Sequence, residues 1–210
     1  MLRVIFSVVA AILWLPASAQ DAGLIGALSG TARVVGADGS SITAKSFMKL
    51  RENDRVELSR DSEAHLVFFG SSSEERWKGP ASLRVTPKGS APVSGAPSAV
   101  LKLPEKVAPQ LTALPERVQL ANLAGVQVRG VKPARVPTEE EKKALADARA
   151  TYQRMNAELP PDDITPELYL YSALAQYELR DEMQALAAAM RRKQPANAEV
   201  LALDRALKKR

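Results

Sequence analysis

The feature that most constrains this fold is a run of short segments between residues 30 and 85 in which apolar residues recur at every second position. This spacing turns one face of each predicted β-strand towards a core. The clearest sets are Val56 and Leu58, then Ala64, Leu66 and Phe68, then Leu83 and Val85. Turn-forming residues such as Asp38-Gly39-Ser40 and Gly79-Pro80 separate the segments. The region therefore predicts a small antiparallel β domain.

The first 19 residues predict export of the chain. Arg3 supplies a positive charge, residues 4–15 form an apolar stretch, and Ala17-Ser18-Ala19 provides a cleavage site between small residues. Together these three features are typical of a secretory signal peptide. A membrane anchor is the alternative, but residues 4–15 fall short of the roughly 20 residues that span a bilayer. We expect a mature protein that begins at Gln20 and lies in the periplasm of a Gram-negative envelope.

Four motifs follow one another within residues 30–85. They are Gly30-Thr31-Ala32-Arg33-Val34, Leu50-Arg51-Glu52-Asn53-Asp54-Arg55-Val56-Glu57-Leu58, Ala64-His65-Leu66-Val67-Phe68-Phe69-Gly70-Ser71 and Gly79-Pro80-Ala81-Ser82-Leu83-Arg84-Val85. In this order they resemble the periplasmic FecR-type domain of iron-responsive signalling proteins and of many envelope proteins. The resemblance implies recognition of envelope proteins or signalling partners. It does not imply sigma-factor control, because members with that role carry an anti-sigma segment and a transmembrane helix before the domain.

The flanks of the β domain are expected to be less regular. Residues 20–29 are interpreted as an N-terminal lead, and residues 86–137 as a proline-rich linker with partly ordered pieces, since eight of the fourteen prolines fall there. Residues 88–97 have the composition of a flexible, partly polyproline segment. Val126 and Val128 are candidates for an edge strand.

Residues 138–210 predict an α-helical domain. Thr138 and Glu141 form a capping box at the start of the first helix. Thr165 is the expected N-cap of the second helix, and Asp181 is the expected N-cap of the third helix. The turn Pro195-Ala196-Asn197 leads into the last helix. Helices joined this closely form antiparallel hairpins.

A helical pair at residues 168–207 resembles a tetratricopeptide-type unit. The resemblance rests on the predicted helices 169–179 and 182–193 and on the ending Gln194-Pro195-Ala196-Asn197. Only one unit is recognisable, whereas such repeats need about three to support a stack. A small closed bundle is therefore favoured over a superhelical groove. The whole chain is predicted to be an α+β multidomain protein.

We predict no catalytic, cofactor-binding or metal-binding residues. His65 is the single histidine, is expected to point away from the strand's core face, and has no partner that spacing identifies. The absence of cysteine excludes disulfides and thiolate metal sites. The acidic clusters Glu74-Glu75, Glu139-Glu140-Glu141 and Asp162-Asp163 are interpreted as structural, at a strand flank, a helix start and a turn.

Trp77 is the candidate for partner contact, together with its neighbours Arg76 and Lys78. A tryptophan exposed beside charged residues would anchor an interface. The alternative is that Trp77 covers the open end of a small β core. Both interpretations remain open from the sequence.

The leading hypothesis for function is a non-catalytic periplasmic protein-interaction module, in envelope signalling or assembly, built on a FecR-like domain and partnered by another envelope protein. The alternative is a binder of cell-wall glycan or another anionic envelope polymer, using Trp77 and a basic surface. The net charge of +5 is mild enough to be ordinary surface charge. Nucleic acid is not an expected partner.

Overall fold

The computed structural model describes residues 20–123 and 138–208, with side chains described up to residue 119 in the first range. Strands fill its first half: β1 (Asp21–Ser29), β2 (Ala32–Val35), β3 (Ser41–Thr43), β4 (Lys49–Arg51), β5 (Arg55–Leu58), β6 (Glu63–Phe68), β7 (Ser73–Lys78), β8 (Ala81–Thr86), β9 (Gly89–Ser94) and β10 (Ala99–Lys102). Helices follow: α1 (Val107–Leu111), α2 (Leu114–Leu123), α3 (Glu139–Glu158), α4 (Thr165–Ala175), α5 (Arg180–Lys193) and α6 (Ala198–Lys208). The predicted signal peptide and the candidate strand at Val126 and Val128 lie outside the described residues.

The strands form two antiparallel sheets of five strands each among the described residues. Sheet A has the order β10-β7-β6-β1-β4, and sheet B has the order β3-β2-β5-β8-β9. The helices come mainly from the C-terminal part of the chain. The α+β prediction with antiparallel strands is thus confirmed at this level.

A first hydrophobic core lies between the two sheets. It contains the alternating residues on which the β prediction rested, and its largest members are buried completely. They include Ile25, Leu50, Val56, Leu66, Phe68, Trp77, Leu83 and Val85. Period-two spacing therefore identified the strand faces that meet between the sheets.

A second core lies on the opposite face of sheet A and is shared with the helices. Leu24 and Val67 of the sheet belong to the same cluster as Leu168, Leu174 and Leu203. Sheet A is therefore the middle of three layers, between sheet B and the helices. The prediction of a closed helical bundle is wrong, because the described helices complete their core against the sheet.

β1 corrects the prediction of an irregular lead at residues 20–29. It pairs with both β6 and β4 inside sheet A. Ile25 faces the core between the sheets, whereas Leu24 and Ala27 belong to the core beneath the helices. A strand buried on both faces has a continuous apolar sequence, so it lacks the alternation by which the other strands were recognised.

The predicted proline-rich linker is also corrected over residues 86–102. Residues 89–94 form β9 at the edge of sheet B, and residues 99–102 form β10 at the edge of sheet A. Pro92 lies in β9, opposite Leu83 of β8. Proline is compatible with an edge strand, since the N–H that it lacks would otherwise point away from the sheet. The prolines here mark sheet edges rather than a flexible connection.

The helix starts agree with the sequence in part. The capping box is confirmed: Glu141 N–H donates to Thr138 Oγ1 at 3.3 Å, and Thr138 N–H donates to Glu141 Oε2 at 2.8 Å. Thr165 is the first residue of α4 rather than its N-cap, and its N–H donates to Asp163 Oδ1. Asp181 lies within the first turn of α5, one residue after the helix begins at Arg180. Among the described helices, none is long and apolar enough to span a membrane.

Gly79 allows a close approach of backbone segments where the chain passes from sheet A to sheet B. A Cβ at Gly79 would lie 1.8 Å from the carbonyl oxygen of Ser59, whereas one at Gly26 would lie 3.6 Å from that of His65. We predict that Gly79→Ala lowers the free energy of unfolding by about 1–3 kcal/mol through overpacking. Gly26→Ala should change it by less than about 1 kcal/mol, since the added methyl group meets only ordinary van der Waals contacts at 3.6 and 3.9 Å. Urea denaturation of both variants checks this, and equal effects would contradict it.

Candidate functional site

A cluster of polar side chains lies buried between sheet A and the helices. His65 comes from β6, Glu74 and Arg76 from β7, and Asp163 and Thr165 from the start of α4. We call these five residues the Arg76 cluster. The strand period brings the first three together, because His65 pairs with Arg76 in register and Glu74 is two residues from Arg76 on the same face.

The guanidinium of Arg76 joins the sheet to the helices. Its Nη2 donates to Asp163 Oδ2 at 2.6 Å, and its Nε donates to Glu74 Oε1 at 3.2 Å. The remaining carboxylate oxygens are held by Thr165, whose hydroxyl donates to Glu74 Oε2 at 2.6 Å and whose N–H donates to Asp163 Oδ1 at 2.7 Å. Each carboxylate is thus fixed in orientation by two donors.

His65 completes the cluster but is only partly satisfied. Its Nδ1 lies 3.4 Å from Glu74 Oε1, and its Nε2 lies 3.8 Å from Glu63 Oε1. Nδ1 is buried and has no hydrogen-bond partner in the described part of the chain. The nitrogen and carboxylate oxygens of His65, Glu74 and Asp163 lie within 4.8 Å of one another, a donor set that a metal ion can accept.

Burial changes the pKa values of two members of the cluster. Removal from water, followed by the negative charge of Asp163, raises the pKa of Glu74 to about 8. Burial lowers the pKa of His65, and the positive charge of Arg76 acts in the same direction. At neutral pH the cluster therefore contains a protonated Glu74, a neutral His65 and an ion pair of Arg76 with Asp163.

A cavity of about 510 Å³ adjoins the cluster. Its lining includes His65, Glu63 and Asp162, and it continues to Lys193 and Asn197 at the ends of the helices. Lys193 Nζ donates to the carbonyl oxygen of Asp163 at 2.9 Å. The cavity thus places solvent space beside the imidazole of the cluster.

A larger groove of about 840 Å³ lies where β4 and the β2–β3 hairpin approach α2 and α6, and we call it the acidic groove. Its lining has six acidic residues, Asp21, Asp38, Glu52, Asp54, Glu116 and Glu199, and three basic ones, Lys45, Lys49 and Arg51. Lys49 Nζ bridges Asp21 at 2.9 Å and Glu116 at 2.7 Å. Hydrogen bonds from Ser40 lower the pKa of Asp38. The acidic residues that line the groove therefore outnumber the basic ones, and the groove carries a net negative charge.

The structure corrects the interpretation of Trp77 as an exposed anchor. The ring is completely buried between the sheets, and its Nε1 donates to Glu75 Oε2 at 3.0 Å. Arg76 is buried on the opposite face of sheet A, and Lys78 is exposed at the end of β7. The three predicted contact residues therefore form no common surface. The alternative interpretation, that Trp77 covers the β core, agrees with its position.

His65 also differs from its prediction, because it lies under the helices instead of pointing to solvent. Asp163 does occupy the predicted turn before a helix, where it accepts the N–H of Thr165. No local pattern indicated that Asp163 meets Arg76, 87 residues away in the chain. The only available signal was the run Glu74-Glu75-Arg76, which is unusually charged for the interior of a strand.

The chain has no match among protein-family models, curated proteins or solved structures. Its candidate sites are therefore argued from their geometry and charge alone.

We predict that stability falls as the pH rises from 6.5 to 8. The native pKa of Glu74, about 8, exceeds its ordinary value of 4.5, so the unfolded chain releases this proton first and the native state loses relative stability. Below pH 6.5 the lowered pKa of His65 adds a contribution of opposite sign, since unfolded His65 binds a proton more readily, and this offsets the slope from Glu74, which extends down towards pH 4.5. Urea denaturation between pH 5 and 8.5, in buffer free of metal ions, should therefore show a shallow dependence below pH 6.5 and a fall in stability above it.

The variant Glu74→Gln isolates the contribution of this carboxyl group. Between pH 6.5 and 8 its free energy of unfolding should depend less on pH than that of the wild type, by up to about 1.4 kcal/mol per pH unit. Below pH 6.5 the variant should show the rise in stability with pH that His65 produces, because the opposing contribution of Glu74 has been removed. Identical profiles for the two proteins would show that Glu74 titrates normally.

We predict that Arg76→Ala lowers the free energy of unfolding by about 3–5 kcal/mol, because it leaves the charge of Asp163 buried without its partner. Arg84→Ala is the matched control on an exposed position of β8 and should cost less than about 0.5 kcal/mol. Chemical denaturation measures both values. A cost below 1 kcal/mol for Arg76→Ala would mean that the cluster does not hold the helices to the sheet.

Proposed function

We propose that this protein is a non-catalytic interaction module of the Gram-negative envelope, exported to the periplasm, with a FecR-like β domain. Its partner is another envelope protein, in signalling or assembly. The binding surface is the acidic groove, and the occupant is an extended, basic segment of that partner. The observation that carries the proposal is the excess of carboxylates in this groove of about 840 Å³, in a chain with positive net charge.

Electrostatic complementarity supports a basic occupant. Lys49 is neutralised by Asp21 and Glu116, and among the remaining lining residues four acids face two bases, Lys45 and Arg51, so the groove has an excess of negative charge. A segment rich in lysine or arginine would be attracted, and an acidic one repelled. This favours a protein segment over an anionic envelope polymer, which was the alternative hypothesis.

The edges of both sheets support an extended occupant. β3 and β4 are edge strands of the described sheets, and both contribute to the groove. An edge strand offers backbone groups to which an extended peptide can pair. Ile42 of β3 lines the groove with 54% of its surface exposed and provides an apolar contact beside the charges.

The buried position of Trp77 further weakens the glycan-binding alternative. Stacking of a sugar requires an accessible aromatic face, and Trp77 is completely buried. The absence of catalysis is part of the same proposal. The chain's single histidine lies within the Arg76 cluster, where Glu74, Asp163 and Arg76 are bonded to one another rather than presented to a substrate.

The test compares the tag-free mature protein with the double variant Glu52→Lys, Glu199→Lys. Both are immobilised and exposed to envelope extract, and the basic synthetic peptide (Lys-Val)₄ serves as a defined extended probe in a fluorescence-anisotropy titration. We expect the double variant to lose the captured protein and to bind the peptide at least tenfold more weakly. The wild-type affinity should fall with added salt, because exposed charges are screened.

The double variant Asp147→Lys, Glu158→Lys makes the same change of +4 in net charge, and both residues are exposed on α3 and absent from the lining of the groove. It should capture and bind like the wild type. Sedimentation with purified peptidoglycan tests the alternative. Equal capture by the wild type and the Glu52→Lys, Glu199→Lys variant, or binding to peptidoglycan that exceeds binding to the basic peptide, would contradict the groove as the site.

A further inference from the structure

The Arg76 cluster has the arrangement of a metal site, independently of the groove. Its three donors come from different elements: an imidazole nitrogen of β6, a carboxylate of β7 and a carboxylate before α4. All three side chains are buried, and their donor atoms converge within 4.8 Å. Surface carboxylates often gather without a ligand, but these groups have been removed from water, which is costly unless they are satisfied.

The unpaired nitrogen of His65 is the second observation that points to a ligand. Nδ1 belongs to a residue with 5% exposure, has no hydrogen-bond partner among the described residues and is directed at Glu74. Its distance of 3.4 Å from Glu74 Oε1 is long for a hydrogen bond. It equals the edge of a tetrahedron whose ligands lie about 2.0–2.1 Å from a central ion, as around zinc.

The surroundings of the carboxylates suit coordination. Thr165 donates to Glu74 Oε2 and to Asp163 Oδ1, and such outer hydrogen bonds orient the ligands of metal sites. Arg76 already donates to one oxygen of each carboxylate. An ion that binds here displaces the proton of Glu74 to solvent. Each carboxylate has about four acceptor positions, so these donors then leave lone pairs available for the ion.

The carboxyl groups around the cluster also outnumber its cationic side chains, which favours binding of a cation. Glu63 and Asp162 approach it from outside, at 3.8 Å from His65 Nε2 and 3.9 Å from Arg76 Nη1. Four carboxyl groups therefore surround a single guanidinium, while the nearby ammonium of Lys193 donates to the backbone oxygen of Asp163 and forms its own ion pair with Glu167 at 2.7 Å. Of the three donor residues only His65 lines the adjoining cavity, so an ion and a water ligand would enter from solvent past its imidazole.

We propose that His65 Nδ1, Glu74 and Asp163 bind a divalent first-row transition-metal ion, with Zn²⁺ the best match to one nitrogen and two carboxylate donors. The ion links β6 and β7 to the start of α4. It therefore stabilises the packing of the helices on sheet A, in addition to the contacts made by Arg76. Its fourth position faces the cavity and is taken by water.

The experiment uses the tag-free mature chain, so that His65 is the only histidine present. Isothermal titration calorimetry with ZnCl₂ measures the stoichiometry and affinity of binding. The absorption spectrum of the protein after addition of CoCl₂ reports whether the bound Co²⁺ is tetrahedral. We expect one ion per chain, an increase in melting temperature on addition of Zn²⁺, and a shift of the single imidazole signal in ¹⁵N NMR. No saturable one-to-one binding to the folded wild type would overturn the proposal.

Two variants remove ligands while keeping the cluster neutral, and one serves as a control. His65→Ala and Glu74→Gln should each lower the affinity for Zn²⁺ by at least about tenfold, because even the mutation of residues that only hydrogen-bond to metal ligands typically lowers affinity by about 10–100-fold. Asp162→Asn removes an exposed carboxylate from the same cavity and should change the affinity less than threefold. Circular dichroism of the metal-free variants verifies folding. Wild-type affinity in either ligand variant, or an equal loss in Asp162→Asn, would show that Zn²⁺ binds elsewhere or only through general charge.

Discussion

Sheet A is covered on both faces, by sheet B on one side and by the helices on the other, and this double burial governs the rest of the structure. Apolar residues of β1 and β6 are divided between two cores, with Ile25 and Leu66 between the sheets and Leu24 and Val67 beneath the helices. Neither layer that covers the sheet closes a core by itself. The β and helical parts are therefore stabilised together, because separating them would expose the second face of the sheet to water.

Double burial also explains the charged residues of β7. Glu75 and Trp77 face sheet B, where the indole N–H is satisfied by the carboxylate. Glu74 and Arg76 face the helices, where Asp163 and Thr165 complete their hydrogen bonds. A buried charge is tolerated only when it is paired, so the start of α4 must lie where Asp163 reaches the guanidinium. The cluster thus sets where the helices lie on the sheet, while the apolar contacts supply most of the favourable free energy.

The two candidate sites differ in the way that they use charge. In the acidic groove the carboxylates range from exposed, as at Asp38 and Glu116, to buried, as at Asp54, and the field of the exposed ones is screened by salt. In the Arg76 cluster they are shielded, so that each proton, guanidinium or metal ion has a large effect on stability. The two candidate sites therefore occupy separate regions: the acidic groove lies at the edges of the sheets, and the Arg76 cluster lies beneath the helices.

The sequence by itself determined the elements whose signals are local. Alternation located the strands around Val56, Leu66 and Leu83, and Thr138 with Glu141 marked the start of α3 through backbone capping. β1 escaped recognition because burial on both faces removes alternation, and β9 and β10 because prolines at sheet edges resemble a linker. The site was decided by tertiary structure alone. Arg76 meets Asp163 across 87 residues of chain, and the sign of the groove depends on side chains from several strands and helices. No local pattern encodes such distances, since they arise only when the helices pack on the sheet.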